Sequence, residues 1–191
     1  ADEAFRVLKG SVLAAMFMGI SPGNVGTMSY LDVYRRESQR DFADGSGMLS
    51  RAVIEGLFGV RPDLLSGWLV IAPGLPSDWP RASLHHPQLD LQYRREAQRE
   101  VWTIAARLAR PVPLLLQVPA KGATATVSIN GSTEELRVDA ATGRLEIHGP
   151  AAATYAIPVD WKGAAPAPAA VPPPRSETLR PSGSAVPAPG A

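Results

Sequence analysis

The feature that most constrains this chain is a change of hydrophobic period near residue 66. Beyond it, apolar residues alternate with polar ones or form short continuous runs, and turn residues separate the runs. Asn130-Gly131 between two runs is a strong hairpin signal. Strands at this spacing predict an antiparallel β-sandwich over residues 67–162. The predicted strands are Trp68–Ile71, Leu89–Arg94, Val101–Leu108, Leu114–Val118, Ala125–Ile129, Glu135–Val138, Arg144–Ile147 and Thr154–Ile157.

Residues 1–66 have the helical period instead, and two amphipathic helices are predicted there. The first covers about residues 5–18 and ends at Gly19. The second covers about residues 47–58, and Gly59 is placed to cap its C-terminus. Because two helices cannot bury apolar residues on all their faces alone, this part is expected to be the last piece of a larger helical domain.

The C-terminal stretch has a different composition from the rest of the chain. Residues 164–191 contain eight Pro and eight Ala, with few large apolar residues and no periodicity. Such a composition cannot bury enough apolar surface to fold, so residues 163–191 are predicted to be a disordered tail.

Composition excludes several classes of function. Nineteen basic and 18 acidic residues give a formal net charge of +1, which predicts no general affinity for nucleic acid or for anionic lipid. The chain has no cysteine, so disulfides, thiolate catalysis and cysteine-ligated metals are excluded. No apolar run approaches the roughly 20 residues of a spanning helix, so no membrane span is predicted.

Polar groups are concentrated between the two predicted helices. Residues 19–29 form a Gly-rich loop, and residues 30–44 are dense in tyrosine and in charged side chains of both signs. Such a run can form a hydrogen-bonding network around a polar ligand, since charged side chains make the stronger hydrogen bonds. The alternative is a solvated face whose ion pairs contribute little.

Three segments carry a resemblance to a known family: Gly26–Asp32 (GTMSYLD), Asp41–Asp63 (DFADGSGMLSRAVIEGLFGVRPD) and Gly67–Pro76 (GWLVIAPGLP). In order and spacing they resemble the C-terminal end of (α/α)6-barrel glycoside hydrolases, the six-hairpin glycosidases, and most closely the α-L-rhamnosidase-like group. In that group a Gly-x-Thr-Thr-x-Trp-Glu segment supplies the general base. An amphipathic helix and a strand that enters a β-sandwich follow it.

The resemblance is partial within its first segment. Asp32 stands where the family has Glu, Leu31 where it has Trp and Met28 where it has Thr. The insert RRESQRDF resembles a less characterised bacterial branch better than the rhamnosidases proper.

The resemblance implies an α+β fragment. Residues 1–66 would be the terminal helices of an (α/α)6 barrel, residues 67–162 its C-terminal β-sandwich, and residues 163–191 the tail. It also implies a carbohydrate substrate, no cofactor, and the upstream part of the same barrel as partner. An activity on sugar polymers is consistent with a periplasmic or secreted location.

Asp32 is the first candidate catalytic residue, and Glu37 is its rival. An inverting glycosidase needs one carboxylate to deprotonate water and a carboxylic acid to protonate the leaving oxygen. The alternative role for Asp32 is a salt bridge to Arg35 or Arg36, or a helix cap. The candidate substrate-binding residues are Tyr30, Tyr34, Arg36 and Asp41.

The general acid is expected upstream of this sequence, so the chain alone is expected to be inactive. The alternative function is a non-catalytic β-sandwich module that binds carbohydrate or braces a partner domain. No metal site is predicted, because His85 and His86 are adjacent and adjacent strand residues point to opposite faces. Tryptophan on a strand is usually core, whereas Trp79, in a loop, is expected to be the most exposed of the four and to pack at an interface.

Overall fold

The computed structural model describes residues 1–17, 43–63 and 65–166. Helix α1 is Asp2–Phe17. Helix α2 is Ala43–Arg51, and a π-helical segment, Ala52–Leu57, continues it. The ten strands are β1 (Val60–Asp63), β2 (Trp68–Ile71), β3 (Arg81–His86), β4 (Leu89–Glu96), β5 (Arg99–Ala106), β6 (Val112–Pro119), β7 (Thr124–Ile129), β8 (Ser132–Arg137), β9 (Arg144–Ala152) and β10 (Thr154–Lys162).

The strands form two sheets, so the predicted β-sandwich is confirmed. The smaller sheet has the order β1-β2-β6-β9 and the larger one β3-β4-β5-β10-β7-β8. Neighbouring strands are antiparallel except β2 and β6, which are parallel. The parallel pair arises because the chain crosses to β3–β5 of the larger sheet between β2 and β6.

The core lies between the sheets and follows from the period of two. Along β6 every second residue is buried, and Leu114, Leu116 and Val118 are completely buried. Leu91 and Ile104 of the larger sheet are also completely buried. Alternate residues of each strand thus face the opposite sheet, as in aligned sandwiches. Burying each such side chain contributes about 1.5–3 kcal/mol.

Two turns confirm the predictions made for them. Asn130 and Gly131 connect β7 to β8 with positive φ angles of 48° and 96°, the combination that a two-residue hairpin turn requires. Gly59 follows α2 and its π-helical continuation with φ of 68°, in the left-handed region that a helix-ending glycine adopts.

The expected (α/α)6-barrel helices are wrong. The described residues are mostly β, and their two short helices form no helical barrel. The sandwich covers the last part of the apolar stripe of the second helix, because Val53, Ile54 and Leu57 pack against the core between the sheets, whereas Met48 is 61% exposed. Neither described helix is long and apolar enough to cross a membrane.

The predicted division at residues 66 and 162 stays a prediction. The predicted disorder of the tail falls mainly on residues 167–191, outside the described residues.

Candidate functional site

The candidate site residues of the sequence all lie in residues 18–42, outside the described part of the chain. They are Asp32, Glu37, Tyr30, Tyr34, Arg36 and Asp41. The structure does describe the two helices that flank this stretch, which we call the polar segment. Helix α1 leads into it, and helix α2 leads out of it.

Helix α1 is attached to the loop between β2 and β3, residues 72–80, which we call the anchor loop. A carboxylate oxygen of Asp2 accepts a hydrogen bond of 2.7 Å from the backbone N–H of Ser77. This hydrogen bond holds the pKa of Asp2 below its ordinary value. One turn further, the ring of Phe5 meets that of Trp79 edge to face, with centroids 4.9 Å apart. The first turns of α1 therefore lie on the anchor loop.

The second helix joins the same loop through its last residues. The N–H of Gly74 donates a hydrogen bond of 3.0 Å to the carbonyl of Leu57, and the N–H of Ala72 donates one of 2.8 Å to the carbonyl of Gly59. A Cβ on Gly59 would lie 2.1 Å from the carbonyl carbon of Ala72. The joint between α2 and the sandwich is thus a close backbone contact that only glycine permits.

Both sheets support the anchor loop. Arg95 of β4 donates a side-chain hydrogen bond of 2.7 Å to the carbonyl of Ser77 and a backbone one of 2.8 Å to that of Pro80. The guanidinium of Arg144, on β9, donates a hydrogen bond of 3.4 Å to the carbonyl of Pro73. Burial lowers the pKa of the Arg144 guanidinium. The anchor loop therefore connects the helices that flank the polar segment to the rigid part of the fold.

The tryptophans divide between core and surface. Trp102 and Trp161 are buried, which confirms the expectation that strand tryptophans are core. Trp79 is half-buried and packs against Phe5 of α1, a single described helix and not the barrel that was expected to cover it. Trp68 is a strand residue on the outer side of the smaller sheet. It is half-buried and meets His148 edge to face at 5.9 Å, an exposure that the strand position did not predict.

A cavity of about 270 Å³ opens between the sheets beside the end of α2. Aliphatic side chains form most of its lining, including Ile54, Leu69 and Leu89, whereas Glu55 and His86 provide polar groups. Arg51 forms a bidentate ion pair with Glu55 at 3.0 Å, so this carboxylate is already engaged. The cavity presents no pair of carboxyl groups suited to acid–base chemistry.

Two groups of described residues contain carboxylates that the sequence analysis did not single out. On the outer face of the larger sheet, Asp90 accepts hydrogen bonds from Arg107 and from His85. The Arg107 hydrogen bond is the main cause that lowers the pKa of Asp90 to about 2. Pairs this distant in sequence become neighbours only through the strand register, so sequence spacing carried no signal for them.

The second group is buried at the other end of β4 and β5. Glu100 is completely buried, accepts a hydrogen bond of 3.0 Å from the hydroxyl of Tyr93, and has the Lys121 ammonium 3.9 Å away. Burial and the Glu100 charge raise the pKa of Tyr93. The carboxylate is enclosed by the core, so its role in the described structure is to satisfy buried polar groups.

The two adjacent histidines point to opposite sides of β3. His85 lies on the outer face, whereas His86 lines the cavity between the sheets. Within the described ranges no group of three or more histidine or carboxylate side chains is placed to hold a metal ion.

Comparison with known proteins finds a likeness among solved structures only. No family model matches the sequence, and no curated protein matches it significantly. Among solved structures, the chain is similar to a GH30 endoxylanase from Clostridium papyrosolvens C71. The identity is 9% and the TM-score 0.31, and the match covers 42% of this chain and 22% of the endoxylanase. At that TM-score the likeness assigns neither fold nor function to the chain.

Proposed function

We propose that this chain is part of a protein that hydrolyses glycosidic bonds, and that the polar segment supplies the general base. The observation that supports this proposal is the anchor loop, to which both flanking helices are attached. Catalytic carboxylates must be held within about 0.5 Å of their productive position by packed elements. Each helix that flanks the carboxylate-rich segment is attached to this braced loop at its end away from the segment, so packed elements stand on both sides of the segment in the chain.

In this proposal Asp32 or Glu37 removes a proton from the attacking water, and the general acid comes from residues upstream of this sequence. Base and acid must stand on opposite faces of the sugar, about 6.5–9.5 Å apart in an inverting enzyme. Tyr30, Tyr34 and Arg36 would contact the sugar, with Asp41 accepting hydrogen bonds from its hydroxyl groups. The substrate is therefore an oligo- or polysaccharide.

The test is a pair of isosteric substitutions in the full-length protein, Asp32→Asn and Glu37→Gln. Turnover is measured as the release of reducing ends from a panel of polysaccharides. Loss of the base should lower turnover by about 10²–10⁴ in one of the two variants. Glu134→Gln is the matched control, because Glu134 is an exposed carboxylate on β8. Near wild-type turnover in both test variants would exclude the polar segment from the chemistry.

The same proposal expects the isolated 191-residue chain to be inactive, since it would lack the acid. Activity of the isolated chain equal to that of the full-length protein would contradict the assignment of the acid to upstream residues.

A second candidate function is a non-catalytic sandwich that binds carbohydrate. The half-buried Trp68 beside His148 favours it, because an accessible indole face is a stacking surface for a sugar ring. Glu146 and Gln117 lie on the same sheet and hydrogen bond to each other at 2.6 Å. Trp68→Ala should then abolish glycan binding while the Asp32→Asn variant still binds. Unchanged binding by Trp68→Ala would exclude this surface.

A further inference from the structure

Two arginines face each other on the outer side of the larger sheet. Arg81 of β3 and Arg94 of β4 are direct cross-strand partners. Both arginines are exposed, whereas the next cross-strand pair, Ala82 and Tyr93, points towards the core. Like charges directly opposite on a sheet are unfavourable unless an anion lies between them. The pair is therefore a feature that needs a physical reason.

No neighbouring carboxylate compensates the pair. Among the residues that the structure describes, no carboxylate oxygen lies within 4.0 Å of either guanidinium. Asp90 is on the same face of β4, but it is bound by Arg107 and His85. Glu96 is the next carboxylate on this face in the other direction, and its cross-strand partner is Arg99. Both arginine side chains are thus available to an anion from outside.

The two arginines border a depression of about 430 Å³, a volume within the usual range of small-molecule sites. Ser83, His85 and Gln92 also line it, and all three are exposed. Guanidinium groups bind carboxylates through two parallel hydrogen bonds. The hydroxyl, amide and imidazole groups can hydrogen bond to sugar hydroxyls. This donor set fits a molecule that has one carboxylate and several hydroxyls.

We propose that this face, the Arg81–Arg94 depression, binds a uronate residue of an acidic polysaccharide. The inference rests on the proposed function, since it names an acidic sugar chain as the ligand of a carbohydrate-active protein. The positive patch is short, because the carboxylates of Asp90 and Glu96 lie on either side of it along β4. A nucleic acid needs an extended basic stripe, which the net charge of +1 also argues against. A single sugar carboxylate matches the patch in size and charge.

The experiment measures binding of the full chain to de-esterified polygalacturonate by calorimetry in about 50 mM salt. Methyl-esterified polygalacturonate and neutral xylan are the ligand controls. The double variant Arg81→Gln/Arg94→Gln should bind about tenfold more weakly or worse, as loss of hydrogen bonds to a charged group predicts. The matched control is Arg137→Gln, because Arg137 is exposed on the outward side of the same sheet at its other edge. It should stay within twofold of wild type.

Three outcomes would overturn the inference: equal binding by the double variant, equal binding of the methyl ester, or competition by inorganic phosphate as effective as that by free galacturonate. A fall in melting temperature of the double variant would also count against it, since removing opposed charges should leave the fold as stable or more so.

These outcomes are separate from those of the proposed function. The Asp32→Asn variant should bind polygalacturonate as wild type does. If the protein hydrolyses neutral glycans but does not bind polygalacturonate, the present inference is refuted and the proposed function is not.

Discussion

Replacement of Gly59 by alanine should be among the most destabilising single changes in this chain. Its φ of 68° lies in the left-handed region, which costs a residue with a side chain about 1–2 kcal/mol. The added methyl would also lie 2.1 Å from the Ala72 carbonyl carbon, which is backbone and cannot rotate away. Relief of this clash requires that the end of α2 move away from the anchor loop.

That movement breaks the hydrogen bonds that join the two. These are the 2.8 Å bond between Ala72 and Gly59 and the 3.0 Å bond between Gly74 and Leu57. Each contributes about 1 kcal/mol net. Together with the backbone term, the free energy of unfolding should fall by about 3–4 kcal/mol. This is a large fraction of the 5–15 kcal/mol that a domain typically has.

Gly143→Ala separates the two contributions. Gly143 has nearly the same φ, 64°, but a Cβ there would meet no atom within 4 Å. Only the backbone term applies, so the expected loss is about 1–2 kcal/mol. Urea denaturation of the full chain, with fluorescence of the buried tryptophans as the signal, measures both variants. Equal losses at the two positions would refute the reasoning that the contact with Ala72 carries the extra cost.

Three further outcomes follow from the contacts. Tyr155→Phe should cost about 1–3 kcal/mol in thermal unfolding, because the buried hydroxyl accepts the Ala152 N–H at 3.1 Å and lies 2.8 Å from the Pro150 carbonyl. Because its pKa is lowered, the Asp90 carboxylate stabilises the fold fully above its ordinary pKa of 3.8 and loses this effect as pH falls towards about 2. In the Asp90→Asn variant the free energy of unfolding should therefore fall less steeply between about pH 4 and pH 2. The same pH dependence in the variant and in wild type would contradict this role of Asp90. Phe5→Ala should increase hydrogen exchange of α1 by the equivalent of about 0.5–1.5 kcal/mol, and unchanged exchange would show that the Trp79 contact does not hold the helix.

The sandwich could be predicted because its residues carry a local signal. Alternation along the strands and the Asn130-Gly131 turn fixed eight of the ten strand positions approximately. β1 was missed because Pro62 interrupts a four-residue run, and β3 because Arg81, Ser83 and His85 make its outward face entirely polar. The order of the strands could not be predicted, because the hydrophobic period indicates which face of the sheet a residue lies on but not which strand pairs with its own.

The candidate site was only partly accessible for the same reason. The density of charge identified the polar segment, and glycine at position 59 indicated the helix end. The attachment of α1 could not be predicted, because Asp2 and Ser77 are 75 positions apart in the sequence. The expected helical barrel came from the resemblance and from the apolar residues of the helices. Val53, Ile54 and Leu57 instead find their partners in the sandwich.

The two attachments to the anchor loop differ in strength, and this difference decides which of the two helices opens more easily. The α2 side has two backbone hydrogen bonds, a glycine that cannot be replaced without a shift, and the buried Phe58. The α1 side has one exposed hydrogen bond to Ser77 and one aromatic contact. Local opening requires least free energy where buried contacts are fewest. Local opening should therefore begin at the contact of α1 with the anchor loop rather than at that of α2.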